Sequence, residues 1–269
     1  MKKNIIKDWS NFDTSKEISH GLDVLLNTSM KKSAENFNKK VVAMQESFLQ
    51  SNFCKFEERR IKQIRYYLKT VLYKYLLVNL SLEQLWALSE VKNTNLSNVL
   101  ENSMTTLKTS DDEILLIAFA FEGVLFQAMA CLEFYLLYLS FFLELKPVDY
   151  RGKITKEKFL KELDKIPKEK KTQKTMNIED YLIRKIFGKD EDDLWHKNNW
   201  GNLLISLRNK IAHRDRVRPS FNSDDVMIDG KHSDWPTINK ITYERFTQSL
   251  SNGIFCMIKN LSQILYKTE

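Results

Sequence analysis

Glycine and proline are scarce in this chain, seven and four residues in 269. That scarcity narrows the fold more than any other feature. Sandwiches and barrels of strands turn often and need turn residues to do so, and nucleotide-binding α/β folds need Gly-rich loops. Leu, Lys, Glu, Ala, Met and Gln fill the long segments instead, and these favour helix. With 43% hydrophobic residues the chain has apolar surface enough for a core. The expectation is an all-α protein, an up-and-down helical bundle.

Hydrophobic spacing divides the chain further. Residues 1–33 are polar and support at most a short helix over 18–26. Residues 35–92 read as two or three helices, with Ile61, Ile64, Leu68, Val71, Leu72 and Tyr75 at the three-and-four spacing of an amphipathic face. Ser81-Leu82-Glu83-Gln84 reads as a capping start for a helix over 85–91. Residues 92–112 are rich in Asn, Ser and Thr and read as a connection, so that 1–110 forms an N-terminal helical region and 111–269 a second unit. Ser110-Asp111-Asp112-Glu113 places acids at the positive end of a helix dipole. That helix is expected to run to about residue 145 and stop before Pro147, nearly 50 Å at about 1.5 Å per residue. Its apolar stretch, 114–145, is interrupted by Glu122, Gln127 and Glu133, which favours burial in a bundle over a bilayer.

A basic insertion follows at about 146–193. Its lysines, interleaved with Glu157, Glu162 and Asp164, read either as a solvated helix face or as a phosphate-tracking surface. Residues 180–187 read as a short helix closed by Gly188. Acids at 190–193 cap a helix containing Trp195, Trp200, Leu203, Leu204, Leu207 and Ile211, fraying after His213. A loop over 214–238 precedes a last helix over 242–266.

The net charge of +7 and pI near 9.1 suit a polyanion, nucleic acid or an anionic membrane surface. Cys54, Cys131 and Cys256 are odd in number and far apart; Cys131 and Cys256 fall in apolar patterns and read as buried free thiols of a reducing, cytoplasmic compartment. Residues 1–10 carry two lysines with no apolar run behind them, which is not the pattern of a signal peptide. No Gly-rich phosphate loop, HExxH, zinc-spaced Cys/His set or GxSxG is present, so neither a metal nor a cofactor is expected.

The run Arg208-Asn209-Lys210-Ile211-Ala212-His213-Arg214 remains. Its chemistry suits RNA cleavage without a metal. A neutral imidazole takes the proton of a ribose 2′-OH or returns one to the leaving 5′-oxygen. A guanidinium holds the phosphate and the charge that grows on it. Asn209 and His213 share a helical face, whereas Arg208 and His213 stand about 140° apart on an ideal helix. A site using both needs a helix that ends or kinks near His213, or a second copy of the motif from a partner subunit.

Together with Ala128 to Leu136, a helix that carries Glu133, this run resembles the HEPN superfamily, whose motif is Arg, four to six residues, then His. The likeness covers roughly residues 111–266. It implies a HEPN-like bundle that dimerises with a composite active site, with Arg208 and His213 catalytic and Asn209 and Glu133 supporting. It also implies an endoribonuclease acting on single-stranded RNA or tRNA, in antiphage defence or a toxin system restrained by an antitoxin or regulator. Lys210 and Arg214 flank the motif and would touch phosphate. Asp215 stands where relatives controlled by nucleotidyltransferase antitoxins carry Tyr, which argues against that control here. Two further readings stand beside it: a non-catalytic HEPN-type module for RNA binding or dimerisation, and a membrane-surface helical protein. In the bland case Arg208 and His213 only serve a helix C-terminus, and Glu133 pairs with a buried cation.

Overall fold

The computed structural model describes residues 29–52, 56–100, 111–146, 154–188, 199–212, 227–228, 231–232, 237–238 and 241–267. It is all-α, as composition requires. The helices are α1 (Ser29–Ser51), α2 (Glu58–Leu100), α3 (Asp111–Phe142), α4 (Lys156–Asp164), α5 (Gln173–Leu182), α6 (Trp200–Ala212) and α7 (Tyr243–Tyr266). Two antiparallel ladders of two residues each interrupt the segment before α7: β1 (Met227–Ile228) with β2 (Lys231–His232), and β3 (Thr237–Ile238) with β4 (Ile241–Thr242).

The spine is α3. At 32 residues it is about 48 Å long, and α2, α4, α6 and α7 all pack on it. Its segment Ala118–Phe142 is long and apolar enough to cross a membrane, yet 61% of its most apolar stretch is buried against the other helices. Antiparallel pairing with α2 fixes the register. Lys74 of α2 donates to Gln127 of α3 (3.1 Å), the Cys131 thiol lies 3.6 Å from the Val71 carbonyl, and Arg60 meets the α3 C-terminus. Helix α1 also runs antiparallel to α2, through Asn38 to the Leu72 carbonyl (3.0 Å), Gln45 to the Ile64 carbonyl (3.3 Å) and the Glu46–Arg65 ion pair.

The expected helix start at Ser81 is absent. Val78, Leu82 and Leu85 continue the buried row of α2 without a break, and α2 runs through the expected connection as far as Leu100. A capping serine requires a non-helical backbone, which burial of that row does not permit. Nor does the core part near residue 110. Ala34, Val41 and Leu49 of α1, the inner face of α2 and the apolar face of α7 belong to one cluster with α3, so the two halves of the chain share their interior.

The basic insertion holds α4, capped by the Thr155 hydroxyl, and α5, capped by Thr172. α5 therefore begins earlier than the expected start at residue 180. It continues through a widened turn, Ile183–Phe187, and stops at Gly188. With φ 68° and ψ 167°, Gly188 adopts a backbone open essentially to glycine alone. A Cβ there would meet Asn199 at 2.8 Å.

Two helix C-termini are closed by cations from other helices, where the macrodipole favours them. Arg60 donates to the Phe141 and Phe142 carbonyls (2.7 Å each) and pairs with Glu144. Glu144 sits in the left-handed region at φ 59°, and the Leu145 amide returns to the Ser140 carbonyl (2.9 Å), a Schellman closure. Lys174 of α5 donates to the Leu265 carbonyl at the end of α7 (2.9 Å).

Candidate functional site

Helix α6 carries the motif, and its entry is fixed in detail. Asn202 donates to the Phe187 carbonyl and to Asn199 Oδ1 (2.7 Å), and Lys156 of α4 donates to Asn202 Oδ1 (2.7 Å). Trp200 is buried at the first helical position, against Gly253 of α7; a Cβ on Gly253 would meet the indole at 2.9 Å. The helix begins at Trp200. The expected start at 190–193, with Trp195 and His196, lies outside the described residues.

Leu203, Leu204 and Leu207 are buried as the spacing requires, and Ile211 is half-buried beside them. These residues press α6 onto the bundle and leave Arg208 half-buried and Asn209 exposed at its rim. Arg208 Nη1 donates to Asn209 Oδ1 at 3.2 Å. Among the described residues the guanidinium makes no other hydrogen bond. Lys210 lies on α6, which ends at Ala212. His213 and Arg214 lie outside the described residues, and with them the meeting of Arg208 with His213.

Glu133 is on α3, the helix against which α6 packs. It is half-buried and already engaged in a polar contact. Its row is informative. Phe119, Phe126 and Glu133 follow at intervals of seven, so they share one face of α3. Phe119 is 76% exposed and Phe126 45%. Exposed phenylalanines on a helix whose other described residues are buried or half-buried mark an incomplete surface.

Among the described residues no group of three or more His, Cys, Asp and Glu is placed to hold a metal. Of the two described cysteines, Cys131 is buried, and that burial pushes its thiol far above the usual range. Cys256 is exposed, contrary to expectation, because Met257 and Ile258 take the core positions of that turn of α7.

The basic insertion is partly committed to internal contacts. Besides Lys156 and Lys174, Lys165 pairs with Glu162, and Lys171 with Glu179 (2.8 Å). Lys161, Lys168, Lys170 and Lys185 are exposed and have no ion pair among the described residues, so the segment is charge-paired only in part.

Sequence reasoning missed one polar cluster in the core. The hydroxyls of Tyr138 (α3) and Tyr266 (α7) hydrogen-bond each other, beside Gln45 of α1. Nothing in an apolar pattern marks such a pair, since tyrosine fills core positions as readily as phenylalanine.

No family model, curated protein or solved structure matches the chain.

Proposed function

We propose that the protein is a cytoplasmic, metal-independent endoribonuclease of HEPN type, acting on single-stranded RNA or tRNA as a homodimer. The observation that carries this reading is the run Arg208-Asn209-Lys210-Ile211-Ala212-His213 at the end of an amphipathic helix packed on the Glu133 helix of an all-α bundle. In this reading His213 removes the ribose 2′-OH proton, the 2′-oxygen attacks phosphorus, and the P–O5′ bond breaks. The leaving 5′-oxygen takes a proton, and a 2′,3′-cyclic phosphate remains. Arg208 holds the charge that builds on the non-bridging oxygens. Asn209 steadies Arg208, and Lys210 and Arg214 hold flanking phosphates. A second copy covers the Phe119–Phe126 row and supplies the facing motif. An antitoxin or regulator that restrains such an enzyme would act at this shared face.

The test is cleavage of end-labelled RNA in excess EDTA by the wild type, Arg208→Ala and His213→Ala. The expected result is a cyclic-phosphate product from the wild type and its loss in both variants, with about twice the 31.8 kDa chain mass in light scattering. Equal, absent cleavage in all three proteins with RNA binding retained would overturn catalysis and leave a binding or dimerisation module. Inhibition of the wild type by EDTA would overturn the metal-free step.

A further inference from the structure

Between Glu58 and Glu83 helix α2 has no acidic residue in 24 positions, and it carries six cations. Arg60 and Arg65 are spent on Glu144 and Glu46. The rest of the charge follows a pattern. Arg59, Lys62, Tyr66, Lys69 and Tyr73 recur at spacings of three and four, which places them in one stripe about 80° wide. The stripe lies opposite the buried row Ile61, Ile64, Leu68, Val71 and Tyr75, so it faces solvent.

Two features distinguish it from an ordinary solvated face. Tyr66 is 63% exposed and Tyr73 57%, large aromatic surface left in water where Lys or Glu would serve solubility. Tyr66 is also braced: its ring meets Tyr67 edge-on (5.3 Å, 77°), and Tyr67 stacks on Phe141 of α3 (4.9 Å, 13°). Among the described residues neither Arg59 nor Lys69 has an ion-pair partner, and Lys62 has only the exposed, weak pair with Glu58.

We propose that this face of α2 is a binding track for single-stranded nucleic acid, with Tyr66 and Tyr73 as base-stacking platforms and Arg59, Lys62 and Lys69 on the phosphates. Exposed aromatics alternating with cations are what a sequence-tolerant single-strand site requires, since every base offers a π-face and every linkage a negative charge. The tyrosines are about 10.5 Å apart along the helix, three times the roughly 3.4 Å rise between stacked bases. The register with α3, Lys74 on Gln127 and Val71 on Cys131, sets Lys69 level with Glu133, so the track passes at the height of the candidate site. The inference shares its substrate class with the ribonuclease reading but rests on α2 alone.

The test is fluorescence anisotropy of a labelled 2′-O-methyl oligouridylate, which cannot undergo 2′-OH attack, so binding is read apart from cleavage. The expected result for full-length Tyr66→Ala/Tyr73→Ala is at least about tenfold weaker binding, from two lost stacks. Arg59→Gln/Lys69→Gln is expected to flatten the dependence of log affinity on log salt by about 1.4, two phosphate contacts on a single strand. These side chains face solvent, and unchanged circular dichroism confirms folding. Binding by both variants within twofold of wild type overturns the track. So does an equal loss from Lys168→Gln/Lys170→Gln in the insertion, or wild-type flotation with phosphatidylcholine–phosphatidylserine vesicles without oligouridylate binding. Absent cleavage by the wild type refutes the ribonuclease reading, and cleavage that survives Arg208→Ala and His213→Ala refutes its assigned site; either leaves this binding result standing.

Discussion

Replacing Arg60 by alanine opens the C-terminus of the spine helix. The side chain is 17% exposed and closes two carbonyls, Phe141 and Phe142, at 2.7 Å each, with its guanidinium 4.8 Å over the Phe56 ring. Hydrogen bonds to charged groups contribute about 1.5–3 kcal/mol each. Here Arg60 and Phe141 border an open cleft of about 210 Å³, so water replaces part of that. Glu144 is 71% exposed, and its pair adds little. The expected loss is about 2–4 kcal/mol, read by urea denaturation followed by circular dichroism, and it appears as a lower midpoint at unchanged slope. Arg60→Lys keeps the charge but cannot fork to two carbonyls, and it recovers less than half. Glu144→Gly removes the left-handed backbone cost of about 1 kcal/mol along with the exposed pair, and it stays within about 1 kcal/mol of wild type. If Arg60→Ala costs under about 1 kcal/mol, or Glu144→Gly costs as much as Arg60→Ala, the cap is not what holds this end of α3.

Burial keeps the Tyr138 and Tyr266 phenols protonated far above their ordinary range. The unfolded chain releases those protons first, so stability holds below about pH 10 and falls as pH rises beyond it. Tyr138→Phe costs about 1 kcal/mol at neutral pH by removing one of the two hydrogen-bond partners of the Tyr266 hydroxyl, Gln45 being the other, and it flattens the alkaline decline in denaturant titrations at stepped pH. Brief iodoacetamide treatment of the native protein, read by peptide mass spectrometry, labels the exposed Cys256 and spares Cys131, whose buried thiol stays neutral. Gly188→Ala forces a side chain into a glycine-only backbone and onto Asn199, at a cost of about 1–3 kcal/mol in the same denaturation assay.

Helix class, the extent of α3 and the buried face of α7 follow from patterns that a sequence displays directly: glycine and proline are scarce, acids mark the start of α3 at Asp111, and Phe246, Leu250, Ile254, Met257 and Leu261 keep helical spacing. Breaks inside long helices are harder to read. Ser81-Leu82-Glu83-Gln84 has the wording of a cap, but a cap also needs the chain to leave the helix before it, and the buried row through Val78, Leu82 and Leu85 keeps it helical. Cys256 next to Met257 and Ile258 shows the same limit at one residue, because a step of 100° separates core from solvent. For the candidate site, the buried and exposed sides of α6 follow from Leu203, Leu204 and Leu207. The Arg208–Asn209 bond and the Asn202–Phe187 clamp depend on side-chain geometry that no spacing encodes.

Charge was the least local of these signals. A count of +7 over the chain says only that a polyanion is a fitting partner. The densest run of lysines, in the insertion, reads either as a solvated face or as a phosphate track, and four of them, Lys156, Lys165, Lys171 and Lys174, work as internal ties to Asn202, Glu162, Glu179 and the α7 C-terminus. A cation that closes a helix end or pairs with a neighbouring carboxylate gives less to a phosphate, because binding must first break the internal contact. The acid-free stretch of α2 has fewer cations, but its outer stripe leaves Arg59 and Lys69 unmatched among the described residues, beside exposed tyrosines. Lys161, Lys168 and Lys170 of the insertion are likewise exposed without an ion pair among the described residues, so what sets α2 apart is the pair of exposed tyrosines between its cations, the feature on which the proposed track rests.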